Sequence, residues 1–234
     1  MKAAYLSSIR ALRRVLAAVG LLGLLDRWAT RSRAGLWLRS LLSIYDLHDL
    51  LRYDVPWWTF EAADRVAGFL ATRPQARVFE WGSGASTVWL SRRAGSVTSI
   101  EHDAEWAEMV APVLPGNAVV RVVPPVPAVG DPDEELSRKP GFAGLDFADY
   151  VAAVDDTDGT FDLVVVDGRA RNACFHRALS RLAPGGVLVF DNVDRQRYRD
   201  AIASSPISVE VDWTRGLTPA LPYPTRTALV RLRD

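Results

Sequence analysis

Four short apolar runs in the chain each end on an acid. They lead into Glu80-Trp81-Gly82-Ser83-Gly84, Glu101-His102-Asp103, Asp167-Gly168-Arg169 and Asp191-Asn192. One such acid alone reads equally well as a solvent-facing turn residue, but four after strongly apolar runs point to a shared site. Gly82 and Gly84 permit a tight turn and close approach of a ligand to the backbone. No Gly-Lys-Ser/Thr follows, so this is not a Walker phosphate loop. The loop is also an imperfect dinucleotide fingerprint: its third small position is Ser86, and Glu80 just before the turn would repel a pyrophosphate. Glu80 could instead accept hydrogen bonds from a cationic amino-acid group, directly or through water. Glu101 stands 17 residues beyond Gly84, a spacing that suits a carboxylate gripping ribose hydroxyls. A nucleoside with a positively charged tail satisfies both acids.

The elements that must carry these residues alternate. The pattern predicts strands at Arg77–Glu80, Ser96–Glu101, Ala118–Val123, Phe161–Asp167 and Val187–Asp191. Helices at Ser86–Arg93, Ala104–Val113, Phe147–Val154 and Arg171–Leu182 are interleaved with them. Residues 207–213 and 226–232 read as an antiparallel edge pair. Such alternation argues for an α/β fold, a mostly parallel seven-stranded sheet with helices on both faces. Ligands then bind outside the carboxyl ends of the strands, where the four acids fall. Before the sheet, helical patterns cover 4–25 and 34–53, and Pro56 ends the second. Thr59 caps a helix predicted at Phe60–Ala71. The expected organisation is therefore an N-terminal helical extension, 1–55, and a catalytic body, 56–234. Pro124–Asp146 shows no clear element and is long for a structureless connection, as a lid would be.

Composition narrows the function classes. Lys plus Arg and Asp plus Glu are both 28, so the formal net charge is zero. That weighs against nucleic-acid binding through a basic surface, because phosphate attraction needs clustered positive charge. The single cysteine, Cys174, excludes an internal disulfide and any multi-cysteine metal site. It fits a cytoplasmic setting, and a small buried filler is its expected role. Leu16–Leu25 is an apolar run of ten residues, too short against the ~20 that span a bilayer. With Trp28, Trp37 and several arginines nearby, the N-terminal helices suit packing on the body, a homodimer contact or a peripheral membrane surface.

The loop, Glu101, Asp167-Gly168 and LAPGGVLVFDNV, in that order, resemble the class I, Rossmann-like S-adenosylmethionine (SAM)-dependent methyltransferases over roughly Pro56 to Asp234. The resemblance implies that Glu80, Gly82 and Gly84 contact the methionine part. Glu101 would hold the ribose and His102 would flank the adenine. Trp81, Ser83 and Ser86 belong to the same cofactor loop. Trp81 replaces the small or aliphatic residue common there, and packing against neighbouring helices is its simpler expectation. Asp167 and Asp191-Asn192 further resemble the metal ligands of catechol and caffeoyl-CoA O-methyltransferases. Two carboxylates and an amide oxygen suit Mg²⁺. Such a metal would lower the pKa of a substrate hydroxyl and orient it for attack. Asp167 thereby falls in both the cofactor and the metal sets. The catalytic lysine of those enzymes is replaced by Ala170. Arg169 stays protonated, so it suits an anionic group or a developing oxyanion better than proton abstraction.

The expected function is SAM-dependent, Mg²⁺-assisted O-methylation of a small polar, sugar-like or anionic acceptor, with Asp167, Arg169 and Asp191 as the catalytic set. A metal-independent N- or C-methyltransferase is the alternative within the fold. A nucleotide-dependent oxidoreductase or a non-catalytic scaffold is the alternative outside it. Arg171, Asp194, Arg195 and Arg197 add a charged rim to the acceptor side.

Overall fold

The computed structural model describes residues 2–44, 47–128 and 141–233, with side chains from residue 7 onward. Five helices precede the sheet: α1 (Lys2–Ala18), α2 (Leu21–Ala29), α3 (Arg33–Ser40), α4 (Leu47–Tyr53) and α5 (Phe60–Ala71). The run read as one helix over 4–25 breaks at Gly20, whose φ of 75° suits a residue without a Cβ. Thr59 caps α5 as expected, its side chain accepting from the Ala62 N–H at 3.2 Å.

The body continues as β1 (Arg77–Trp81), α6 (Ala85–Ser91), β2 (Ser96–Glu101), α7 (Ala104–Val110), β3 (Ala118–Val122), β4 (Val126–Pro127), β5 (Leu145–Asp146), α8 (Ala148–Ala152), β6 (Phe161–Val166), α9 (Arg171–Leu179), β7 (Leu182–Asp191), α10 (Gln196–Ala203), β8 (Val209–Gly216) and β9 (Thr225–Leu232). The main sheet has seven strands in the order β3-β2-β1-β6-β7-β9-β8. The first five are parallel, and β9 runs antiparallel to both β7 and β8. The chain reverses direction across the sheet between β1 and β6, so the crevice of an open α/β sheet opens beside Glu80 and Asp167.

Alternation along the central strands splits the core. Phe79, Trp81, Val164, Val166, Leu188 and Phe190 pack on one face. Val78, Leu163, Val165, Val187 and Val189 pack on the other. This two-sided burial is what a near-continuous apolar run in a parallel strand demands. The Pro184-Gly185-Gly186 turn does not precede β7 but loops out of it. Leu182 already pairs with Phe161, and the ladder resumes at Val187 with Leu163.

The N-terminal helices join the body through a third cluster. Leu36, Leu47, Leu50 and Val55 pack with Phe60, Ala85 and Val110. Inside it the Arg39 guanidinium is almost fully enclosed, donating to Asp26 at 2.7 Å and to Asp49 at 3.1 Å. The α3 helix also fastens the β8–β9 connection. The Trp37 indole donates to the Leu221 carbonyl at 2.8 Å, and Ser40 accepts from the Ala220 N–H at 2.8 Å. Part of Pro124–Asp146 is ordered as the β4–β5 ladder; residues 129–140 of the expected lid lie outside the described residues.

Candidate active site

All four acids stand at carboxyl ends of neighbouring strands: Glu101 on β2, Glu80 on β1, Asp167 just after β6 and Asp191 on β7. Their surroundings differ.

Glu80 is wholly buried and turned under the glycine loop. It accepts from Thr87 at 2.6 Å, Ser99 at 2.5 Å and the Ser86 hydroxyl. Burial pushes its pKa up to about 7, although these three hydroxyls work the other way. Glu80 and Ser86 thus hold the loop and the start of α6 from beneath, and neither side chain is presented to a ligand. Trp81 also turns inward, fully buried against Phe79 and donating to the Tyr150 carbonyl at 2.8 Å. Only its backbone borders the loop. Gly82, at φ 97°, runs so close to Gly168 that a Cβ would meet that residue's backbone at 2.9 Å. A Cβ on Gly168 would in turn strike the Tyr150 hydroxyl. The two glycines let the β1 and β6 ends close on each other.

Glu101 is nearly buried yet ionised. Burial opposes its charge, but hydrogen bonds from His102 and from the backbone of Ser83 and Asp103 outweigh that and hold it below the ordinary carboxylate value. One oxygen accepts from the Ser83 N–H at 2.9 Å and the Ser83 hydroxyl at 3.0 Å. The other accepts from the His102 and Asp103 N–H groups at 2.8 and 3.0 Å. A ribose diol would compete with the Ser83 hydroxyl and the His102 ring for these lone pairs. Around His102 stand Phe142, Phe147 and Tyr150, with ring centroids 5.1, 6.0 and 6.2 Å away. Trp106 covers the loop from α7, donating to the Ser83 carbonyl at 2.8 Å. A cluster of mutually tilted rings beside the ionised Glu101 fits a purine nucleoside better than a pyrophosphate. Phe142 escaped the sequence reading because Pro124–Asp146 shows no clear element, and Tyr150 because nothing local shows which way the predicted helix Phe147–Val154 faces.

Beyond β6 and β7 the chemistry changes sign. Arg171, at the start of α9, binds the ends of both strands. Its guanidinium donates to the Asp167 carboxylate at 2.7 Å and to the carbonyls of Gly168, Asp167 and Asp191 at 3.0, 2.6 and 2.6 Å. The Asp191 carboxylate lies 4.0 Å from the same group. Asp191 further accepts from Thr227 at 2.6 Å and from the Asn192 amide. Burial, then the charge of Asp167, raises the Asp191 pKa to about 8. Burial raises Asp167 as well, against the pull of Arg171. Ala170 and Asn192 flank the cluster at φ 44° and 58°. An amide side chain tolerates this left-handed region more readily than an alanine does.

This donor set does not fit a divalent cation. The space between Asp167 and Asp191 is taken by a guanidinium that cannot be deprotonated. The resemblance to a metal site lay in Asp167, Asp191 and Asn192, and the structure does bring these three together. It adds a fourth member that reverses their meaning. Among the described residues no cluster of three or more His, Cys, Asp or Glu side chains could hold a metal.

Arg169 points the other way from Arg171. It stacks on Phe142 at 5.0 Å and donates to the His102 ring at 3.3 Å. Arg195 and Arg197 donate to the Tyr198 hydroxyl at 3.2 and 3.0 Å. Among the described residues, none of these three arginines forms an ion pair with a carboxylate. Burial of Tyr198 opposes its ionisation, but Arg171, Arg197 and Arg195 together lower its pKa below the ordinary value. His176 reaches the Ala201 carbonyl rather than the strand ends, and Cys174 is a buried thiol under Arg169. Trp58 is fully buried against Trp89 and therefore does not stack on a ligand, while Trp57 is half-buried.

A family model described as a methyltransferase domain matches residues 79–193, the stretch from β1 to the end of β7. Over that stretch the chain carries a methyltransferase domain. Solved structures agree at the level of the fold. An O-methyltransferase from Bacillus cereus in complex with S-adenosylhomocysteine (SAH) superposes with a TM-score of 0.58 at 18% identity, over 80% of this chain and 90% of that one. An rRNA methylase from Streptococcus thermophilus superposes with a TM-score of 0.50 at 11% identity, over 72% and 95%. No curated protein gives a match.

Proposed function

We propose that this methyltransferase transfers the methyl group of SAM to a hydroxyl of a small anionic acceptor, and that it does so without a divalent cation. The observation that carries this reading is the inequality among the arginines. Arg171 is committed to Asp167, Asp191 and three carbonyls, whereas Arg169, Arg195 and Arg197 keep donors to spare. Planar guanidinium donors of this kind recognise carboxylate, phosphate or sulfate groups. A sugar acid or sugar phosphate meets both demands, an anionic group for the arginines and a hydroxyl to be methylated.

SAM, when bound, supplies an electrophilic methyl group on a sulfonium. The geometry supports the following roles for the chain's own residues. Glu101 and Ser83 hold the ribose. His102, with Phe142, flanks the adenine, Phe147 backs them from the core, and the backbone of Gly82, Ser83 and Gly84 lines the methionine part. Glu80, Trp81 and Ser86 support that loop from the core. Asp167 is the member of the lower pair whose side chain still reaches solvent, and its raised pKa suits the proton leaving the acceptor hydroxyl. Arg171 keeps Asp167 and Asp191 in place, and Arg169 aligns the acceptor for in-line attack. Residues 56–234 carry this chemistry; residues 1–55 buttress it and supply a further surface.

Incubation with methyl-labelled SAM tests the proposal, comparing neutral sugars with sugar acids and sugar phosphates in EDTA and in Mg²⁺. The expected result is transfer to the anionic acceptors at equal rates in both media. Transfer only to neutral acceptors, or only with Mg²⁺, contradicts it.

A further inference from the structure

Charge is divided very unevenly along this neutral chain. Residues 1–44 hold eight basic side chains against the single acid Asp26, a net of +7, so residues 45–234 carry −7. Part of that positive charge is spent inward. Arg13 pairs with Asp49 at 2.9 Å, Arg39 with Asp26 and Asp49, and Arg33 with Asp64. Arg10, Arg14, Arg27 and Arg31 are exposed and form no ion pair among the described residues.

Beside these arginines lie large exposed apolar side chains. Leu12, Val15 and Val19 follow one another at steps of three and four residues along α1 and the turn after it. Leu21, Leu24 and Trp28 repeat the spacing along α2. Each triplet therefore makes one helical ridge. Val15 and Val19 are 59% and 61% exposed, and Leu24 is 53%. The inner side of α2 is already occupied, with Ala29 in the core that joins the helices to the body. The ridges are thus surplus to packing. No helix among the described residues is long and apolar enough to cross a membrane.

We propose that α1 and α2 form a docking surface for an anionic lipid bilayer. Apolar ridges flanked by arginines are the composition of a helix lying in the interface, the ridge entering the acyl boundary while the guanidinium groups meet lipid phosphates. Trp28 has the amphipathic ring that favours this depth. The charge division selects a membrane over a second copy of the chain. An isologous dimer would set one +7 segment against another. A contact between this segment and the acid-rich body of a neighbour would be heterologous, with nothing to close the assembly.

The test is co-sedimentation of the full chain with vesicles of phosphatidylcholine alone and of phosphatidylcholine mixed with phosphatidylserine, at low and high salt. The expected result is binding to the mixed vesicles only, and its loss in high salt through screening. Combining Arg10→Gln, Arg14→Gln and Arg27→Gln should weaken partition on the order of a hundredfold. Combining Val15→Ser, Val19→Ser and Leu24→Ser should weaken it at least about tenfold. Both variants should keep the SAH affinity and helical circular dichroism of the unaltered chain. A chain that stays in the supernatant, binds neutral vesicles equally well, or binds despite both variants overturns the proposal. So does a dimer by light scattering that these variants dissociate. The unaltered chain's lipid and salt dependence decides the matter even if a variant folds poorly, and SAH binding reads the methyltransferase assignment separately.

Discussion

The two halves of the crevice solve opposite electrostatic problems. At the ends of β1 and β2 the acids Glu80 and Glu101 have no guanidinium partner among the described residues and are held by hydroxyls and backbone N–H groups. At the ends of β6 and β7 the acids Asp167 and Asp191 share the buried Arg171, and more arginines lie above them. In the first half Glu101 keeps its negative charge beside a cluster of aromatic rings, while Glu80 is sealed beneath the loop. The second has its negative charge already matched and offers positive charge outward. An acid's position in the fold therefore does not fix its role. Its partners do.

The comparison can be broken most severely at Arg171. Arg171→Ala leaves two carboxylates buried without their cation and should cost about 3–5 kcal/mol of stability, read by urea unfolding. A change below about 1 kcal/mol would mean that the two acids do not depend on it. Next is Glu80. Its pKa is raised in the folded state, so its contribution to stability is complete below the unfolded value of 4.5 and is lost as pH rises towards about 7. Across that window the unaltered chain should lose on the order of 2–3 kcal/mol relative to Glu80→Gln. A difference between the two chains that stays flat from pH 4 to 8 (about a unit either side of the window) would assign Glu80 to a solvated, ligand-facing position instead.

Smaller effects separate the halves functionally. Glu101→Gln should weaken SAH binding by about 1.5–3 kcal/mol, measured by calorimetry, with the KM for the acceptor unmoved. Arg169→Gln should do the reverse. The KM for an anionic acceptor should rise about tenfold, as for one lost charge-assisted hydrogen bond, while that for a neutral acceptor and the SAH affinity hold. If both substitutions move SAH affinity alike, Arg169 belongs to the cofactor half and the division is drawn in the wrong place.

Most of the scaffold was legible in the sequence, because its signals are local. The apolar run Phe161–Val166, the Thr59 cap and the acids after each strand follow from period, capping and burial. The seven strands of the main sheet lie where the alternation put them, within a few residues at their ends. At the site, the grouping of four acids at strand ends was legible, and the surroundings of each were less so. Glu80 was expected to meet the ligand and Trp81 was placed in the same loop with packing as its simpler expectation, yet nothing local tells whether a side chain at a strand end turns up or inward. Here Ser99 from the next strand and Tyr150 from α8 draw them in. Arg171 was visible only as one more charge on a rim. Its reach across the carbonyls of two strands depends on how α9 sets off from Ala170, a residue in the left-handed region that no motif marks.

The measurement that bears most directly on the central claim is manganese binding by electron paramagnetic resonance, made on the chain with SAH added. The account predicts tight SAH binding and a free-Mn²⁺ spectrum, because Arg171 already stands between Asp167 and Asp191. Stoichiometric Mn²⁺ binding that disappears in Asp191→Asn would contradict it and restore a metal-assisted mechanism.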